Sequence, residues 1–328
     1  MPKTPQRGPS EQQVLQWLGL LYQGDRVALG RLLTLVEGQS SLAPLIYAQV
    51  ADRLGGAQVV GFTGPPGAGK STLVSAYAGA LRKRGATVGI LAVDPSSPYS
   101  GGAILGDRLR MREHAEDPGV FVRSVASQGY LGGLSVTAFR AIDLMDAAGR
   151  EVILVETVGT GQSEVDIVHL ADTNVVVTVP GYGDEIQAIK AGILEIADIT
   201  VVNKADQSEA LAETTAHQLQ SRVGGGSGRS PRVLQVSALQ GTGIEALVDA
   251  VTAHASDSGR RPGAQSRARQ ALAGATIQRI RGLLMQGDSP QLDAISRDFI
   301  SGKTGVDDAI QQVIAELQRG ASVESPPG

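Results

Sequence analysis

Residues 64–72 read GPPGAGKST. Positions 64–71 fit the pattern G-x-x-x-x-G-K-[ST], a loop that wraps its backbone around the phosphates of a nucleoside triphosphate. Glycines let the chain approach the β-phosphate closely with N–H groups turned inward. The helix that follows adds its positive N-terminal end. In this reading Gly64, Gly67, Ala68, Gly69, Lys70, Ser71 and Thr72 form the cradle. Lys70 supplies charge to the β- and γ-phosphates, and the Ser71 hydroxyl serves Mg²⁺. The loop leaves open which base is bound and what the bound energy does.

The surroundings of the loop decide the fold. QVVGFTG, from residue 58, is a short apolar strand that runs into it, and a helix is expected over 70–83. Downstream, TVGILAVDP, VFVRSV, EVILVETVG, TNVVVTVP, ADITVVNKAD and RVLQVSA read as buried strands. Helical patterns fall between them near 135–148, 184–195 and 208–221. Strands alternating with helices predict an α/β fold, a mostly parallel sheet covered on both faces.

Helices are also expected at 11–22, 26–37 and 42–54, the first opened by a capping box from Ser10 to Gln13. Others are expected near 265–285, 290–300 and 305–318, after the linker SDSGRRPGA. The VGGGSGRSP stretch at 223–231 reads as a surface loop. The expected organisation is a tail at 1–10, an N-terminal helical extension at 11–55, a nucleotide-binding domain at 56–256, a C-terminal helical arm at 257–319 and a tail at 320–328.

Composition narrows the function. Net charge is −4 and aromatics are 3%, so neither a basic field nor stacking residues point to nucleic acid. There is no cysteine, hence no disulfide and no thiolate metal site. No apolar run approaches the ~18 residues of a membrane span. A soluble cytoplasmic protein without membrane partners is expected. His114, His169, His217 and His254 lack metal-ligand spacing.

Base choice is written in NKAD, residues 203–206, at the end of a buried strand. Guanine presents N1–H and a 2-amino group, and the Asp206 carboxylate can accept both. Adenine lacks these donors, so a carboxylate discriminates. Asn203 would either reach N7 or tie the loop together, and the Lys204 stem would cover the base. SALQGTG follows the next strand, with Ser237, Ala238 and Leu239 placed to meet the guanine O6 through backbone N–H groups.

Three acids suit the metal. Asp94 and Glu156 end strands, where they would hold Mg²⁺ or its waters. Asp107 reads equally as a ligand or as a solvated loop acid. Gly159 in ETVG would contact the γ-phosphate, which makes this segment a sensor of hydrolysis. No glutamine directly follows Gly159, and Gln162 lies further on, so slow intrinsic hydrolysis is expected. Arg108, Arg110 and Lys190 are candidates for supplementary charge.

GPPGAGKST, LAVDPSSPYSGGAILGDRLRM, LGGL, ETVGTGQSEVDI, GDEIQAIKAGILEIADI and NKAD occur in this order. Together they resemble the MeaB/ArgK/MMAA family of P-loop GTPases, over about residues 12–318. The resemblance implies a GTPase (G) domain flanked by helical extensions, with GTP/GDP and Mg²⁺ as cofactors. It implies a homodimer to which the N-terminal helices and the C-terminal dimerisation arm belong. It places Lys70, Ser71, Asp94, Asp107 and Glu156 at the phosphate and Mg²⁺ site, Arg110 in a first switch, and Asp184 and Lys190 in a further one. The implied partner is a cobalamin-dependent acyl-CoA mutase, with an adenosyltransferase as the source of adenosylcobalamin. Gln128 and Tyr130 depart from the family pattern, which usually has a basic residue and His there. This bears on which mutase is served. A nickel-delivery GTPase and an ATPase or kinase of amino-acid transport are the alternatives. The missing Cys/His motifs count against the first and Asp206 against the second.

Overall fold

The computed structural model describes residues 8–38, 40–94, 116–126, 136–157, 170–181, 196–223, 232–258 and 289–321, together with His114, Ile167 and scattered positions between 268 and 285. The helix expected at 184–195 and the loop at 224–231 lie outside these residues, and the helix expected at 265–285 lies only partly within them.

Local capping sets the N-terminal helices. Ser10 and Gln13 cap α1 (Glu11–Leu21) reciprocally, each side chain accepting from the other's backbone N–H. The Asp25 carboxylate accepts from the Ala28 N–H at 2.7 Å to open α2 (Arg26–Glu37). α3 (Ala43–Val50) is shorter than the segment expected at 42–54. It tightens into a 3₁₀ turn at Ala51–Arg53, and the chain then extends at Leu54 ahead of Gly55, whose φ is 93°.

Seven strands follow: β1 (Gln58–Thr63), β2 (Val88–Asp94), β3 (Val120–Ala126), β4 (Val152–Thr157), β5 (Thr173–Thr178), β6 (Ile199–Val202) and β7 (Arg232–Gln235). Every pairing is parallel, in the order β3-β2-β4-β1-β5-β6-β7. Between them lie α4 (Lys70–Lys83), α5 (Val136–Ala147) and α6 (Glu209–Val223), and α7 (Ile244–Ser258) follows β7.

Alternation along the strands assigns the faces. Val59, Leu91, Ile153 and Val155 share a core with Leu18, Leu21, Leu29, Leu32, Ile46 and Ile142, so α1–α3 and α5 cover one face. Val60, Phe62, Ile90 and Leu154 share the opposite core with Leu73, Tyr77, Leu247 and Val251 of α4 and α7. The Phe62 and Tyr77 rings meet edge to face at 5.5 Å. α6 covers Val176 and Val202 toward the β7 side. The N-terminal helices are therefore part of the sheet's own core and not an appended layer.

Two buried carboxylates lock this arrangement. Asp146 of α5 accepts from the N–H groups of Gly55 (2.5 Å) and Ala57 (2.8 Å), which fixes the chain entering β1. Asp172 accepts from the Val59 N–H at 2.8 Å.

The chain divides into two compact units, Met1–Ala271 and Leu272–Gly328. In the second, α8 (Pro290–Ile300) is capped by Ser289 and packs on α9 (Val306–Ala321). Phe299, Ile300, Val306, Ile310 and Ile314 are exposed there. No helix among the described residues is long and apolar enough to cross a membrane.

Asp146→Ala removes the acceptor of two main-chain N–H groups. It should cost about 2 kcal/mol of unfolding free energy by urea titration, whereas Asp146→Asn, which keeps one acceptor oxygen, should lose less.

Candidate functional site

β1 is flanked by β4 on one side and β5 on the other, so its carboxyl end lies where the strand order reverses. Such a crevice is the expected ligand position in an open parallel sheet. The chain leaves β1 at Gly64, whose φ is 141°. A Cβ there would lie 2.1 Å from the Val177 carbonyl oxygen, so only glycine allows the loop to pass against β5. The loop then turns into α4 at Lys70.

Lys70 is buried, and its ammonium donates to the carbonyls of Gly64 (2.7 Å) and Pro65 (3.0 Å). The side chain thus folds back across the loop and carries its charge to the loop's concave side. Ser71 is buried in the first turn of α4, and its hydroxyl donates to Glu156 Oε1 at 2.6 Å. Glu156 is 1% exposed near the end of β4, in register with Phe62 of β1 and Ala92 of β2. Asp94 closes β2 at the same sheet edge, in register with Ala126, and its side chain is outside the described set. A hydroxyl and a carboxylate, hard oxygen donors held together beside a phosphate loop, fit Mg²⁺. Among the described residues no group of three or more acidic or histidine side chains is assembled.

The base loop is joined to the phosphate loop by one side chain. Asn203 Nδ2 donates to the Ala68 carbonyl at 2.8 Å, and Asn203 Oδ1 accepts from the Ala238 N–H at 3.1 Å. Of the two roles open for Asn203, the structure displays the tie. Gly69, at φ 82°, makes it possible, because a Cβ there would lie 2.6 Å from Asn203 Nδ2. The Ala238 N–H already serves Asn203, so contact with a guanine O6 would be shared. Lys204 is left-handed at φ 61°, the only non-glycine with positive φ among the described residues. It turns the chain into the 3₁₀ segment Ala205–Gln207, where Asp206 is exposed. The Ser237 hydroxyl accepts from the Gln240 N–H at 3.2 Å, and Leu239 stands 85% exposed at the rim.

A family model described as "Methylmalonyl Co-A mutase-associated GTPase MeaB" matches residues 29–286. The chain belongs to the MeaB family. A Pyrococcus horikoshii protein named as a GTPase is 49% identical over 238 residues, which is 71% of this chain and 75% of that protein. The mouse "Methylmalonic aciduria type A homolog, mitochondrial" is 36% identical over 253 residues, 70% of this chain and 60% of its own. The solved structure of a "LAO/AO transport system kinase" superposes with a TM-score of 0.72 at 27% identity, covering 95% of this chain and all of that one. Membership makes the chain a guanine-nucleotide-binding GTPase with a P-loop.

Within the family frame, Gly64, Gly67, Ala68, Gly69, Lys70, Ser71, Glu156 and Asn203 converge on one crevice, with Ala238 joined through Asn203. Asp107, Arg108, Arg110, Gln128, Tyr130, Gly159, Gln162, Asp184 and Lys190 lie outside the described residues. Sequence reading missed the Thr157–Thr63 pair, hydroxyl to hydroxyl at 3.2 Å, which bolts the end of β4 to the end of β1. It also missed Tyr77. Burial raises its phenol far above the ordinary value, opposed by Arg84, and keeps it neutral against Phe62 of β1.

Asn203→Ala severs both bonds of the tie at once. GDP affinity should fall about 10–100-fold by fluorescence titration of a labelled nucleotide, with far-UV circular dichroism unchanged.

Proposed function

We propose that this chain is a GTP-driven chaperone that gates adenosylcobalamin loading of a cobalamin-dependent acyl-CoA mutase, and protects or reactivates it. The observation that carries this is the 2.6 Å bond between Ser71 and Glu156. It couples the phosphate site to the residue from which ETVGTGQSE departs, so loss of the γ-phosphate is felt at the root of that segment. The mutase enters through the family's printed description.

In this reading Ser71, Asp94, Asp107 and Glu156 hold Mg²⁺, directly or through water. Bound there, the ion would supply positive charge against the charge that develops on the phosphates. Lys70 stabilises the same charge, and Gly159 reports the γ-phosphate. Gln162 orients water, and Arg110, Asp184 and Lys190 belong to the switch segments. The Gln128–Tyr130 segment belongs to the contact with the mutase. The exposed apolar residues of α8 and α9 belong to a homodimer contact. An adenosyltransferase supplies the cofactor that is gated.

A transport-linked kinase remains the second reading, on the printed name of the solved relative. It would need ATP and a protein phosphoacceptor.

GTP turnover should rise at least about tenfold when purified methylmalonyl-CoA mutase is added, and Glu156→Gln should abolish the rise. Turnover unaffected by this or any other cobalamin-dependent acyl-CoA mutase would remove the chaperone reading while leaving the GTPase intact.

A further inference from the structure

At the amino ends of the strands, opposite the nucleotide crevice, three arginines from separate elements close on one turn. Arg82, near the end of α4, grips Asp117 with two bonds, Nε to Oδ2 at 2.9 Å and Nη2 to Oδ1 at 3.1 Å. Arg26, the first residue of α2, donates to the Asp117 carbonyl at 3.3 Å. Arg150, just before β4, donates to the Pro118 carbonyl at 3.4 Å.

These three are not equivalent. The Asp117 carboxylate is committed: both oxygens serve Arg82, and Oδ1 also accepts from the Gly119 N–H at 2.7 Å. Glu151, the next acid along the chain, is turned to Thr87, accepting from its N–H (2.7 Å) and hydroxyl (3.1 Å). Arg150 is 4% exposed, yet among the described residues its guanidinium makes only the long bond to Pro118, and its Nε has no partner. No carboxylate there lies within ion-pair distance of it. Burial lowers the affinity of this guanidinium for its proton, Arg26 and Arg82 push the same way, and Asp117 opposes them.

A buried arginine normally sits against a carboxylate or phosphate that takes its fork of donors. Without such a partner, it bears a desolvation cost that one long bond to a carbonyl offsets only in part. The roof over it is thin, since Pro118 is exposed and Asp117 only half-buried.

We propose that Arg150, with Arg82 and Arg26 at its rim, forms a second anion site that takes a small oxyanion, a phosphate or a carboxylate, at the amino edge of the sheet. Arg26 belongs to the N-terminal helical layer, Arg82 to α4 and Arg150 to the lead into β4. An anion held among them joins the helical layer to the GTPase sheet, at the far end of the helix that carries Lys70 and Ser71. The site stands independently of the chaperone reading.

The test uses the full chain saturated with GDP and Mg²⁺, so the nucleotide crevice is occupied. Thermal unfolding is followed against inorganic phosphate in one arm and succinate in the other, with sodium chloride matching ionic strength. One or both should raise Tm saturably, by about 2–4 °C at the plateau, and the arm that does so names the anion. Arg150→Met should abolish the rise. In anion-free buffer it should leave Tm unchanged or higher, because replacing an unpaired buried charge with an apolar side chain relieves its cost. GTP turnover without mutase should be unchanged. No saturable rise in either arm, or a rise that survives Arg150→Met, would overturn the site. So would Arg150→Met lowering Tm by several degrees without any anion, which would make Arg150 purely structural.

Discussion

One side-chain amide, that of Asn203, makes the nucleotide crevice a single body. It gives its N–H to the phosphate loop at Ala68 and takes an N–H from Ala238 after β7. Its own backbone N–H is spent on Thr178 at the end of β5. Three loops that follow three different strands are thereby set at fixed separation, and a nucleotide meets its phosphate and base contacts already aligned. Such preorganisation spares binding the cost of ordering those loops. Gly64 against Val177 and Gly69 against Asn203 are two positions where the backbone comes that close.

Against this fixed part stands the Ser71–Glu156 joint. Both residues are buried, and Thr157, the next residue, is bolted to Thr63. The described end of β4 is thus anchored beside the phosphate loop, as the proposed hydrolysis sensor would require. The sheet has a second charged end. There the arginines around Asp117 and the Asp146 clasp on Gly55 and Ala57 connect the N-terminal helices to the strands. Packing does the same across the face, where Leu29, Leu32 and Ile46 share a core with Ile153 and Val155.

Much of this was legible in the chain because its signals are local. The capping box at Ser10 placed the first helix start, and β-branched runs such as TNVVVT read as buried strands. The phosphate loop and NKAD carry their chemistry in spacing alone. Strand order was not legible, because it rests on pairings between distant segments. Nor was the choice made by Asn203, whose amide suits a base or a loop equally until Gly69 is seen beneath it. Neither Asp146 nor Arg150 carries a local signal of burial in the sequence. Their burial is decided by what the fold lays over them. The segment 42–54 misled in its ending because its apolar spacing stays helical up to Leu54, while the backbone is already tightening at Ala51.

We propose that the base loop, locked to the phosphate loop, makes this molecule guanine-specific through Asp206. Calorimetric titration of GDP, xanthosine diphosphate and ADP into the wild type and Asp206→Asn tests it most directly. The wild type should bind GDP at least about 1,000-fold more tightly than ADP, because adenine offers the Asp206 carboxylate no donors. Asp206→Asn should lose GDP and gain xanthosine diphosphate, whose second carbonyl accepts where guanine donates. Equal or tighter binding of ADP by the wild type, or an Asp206→Asn variant that keeps its preference for GDP, would contradict the account.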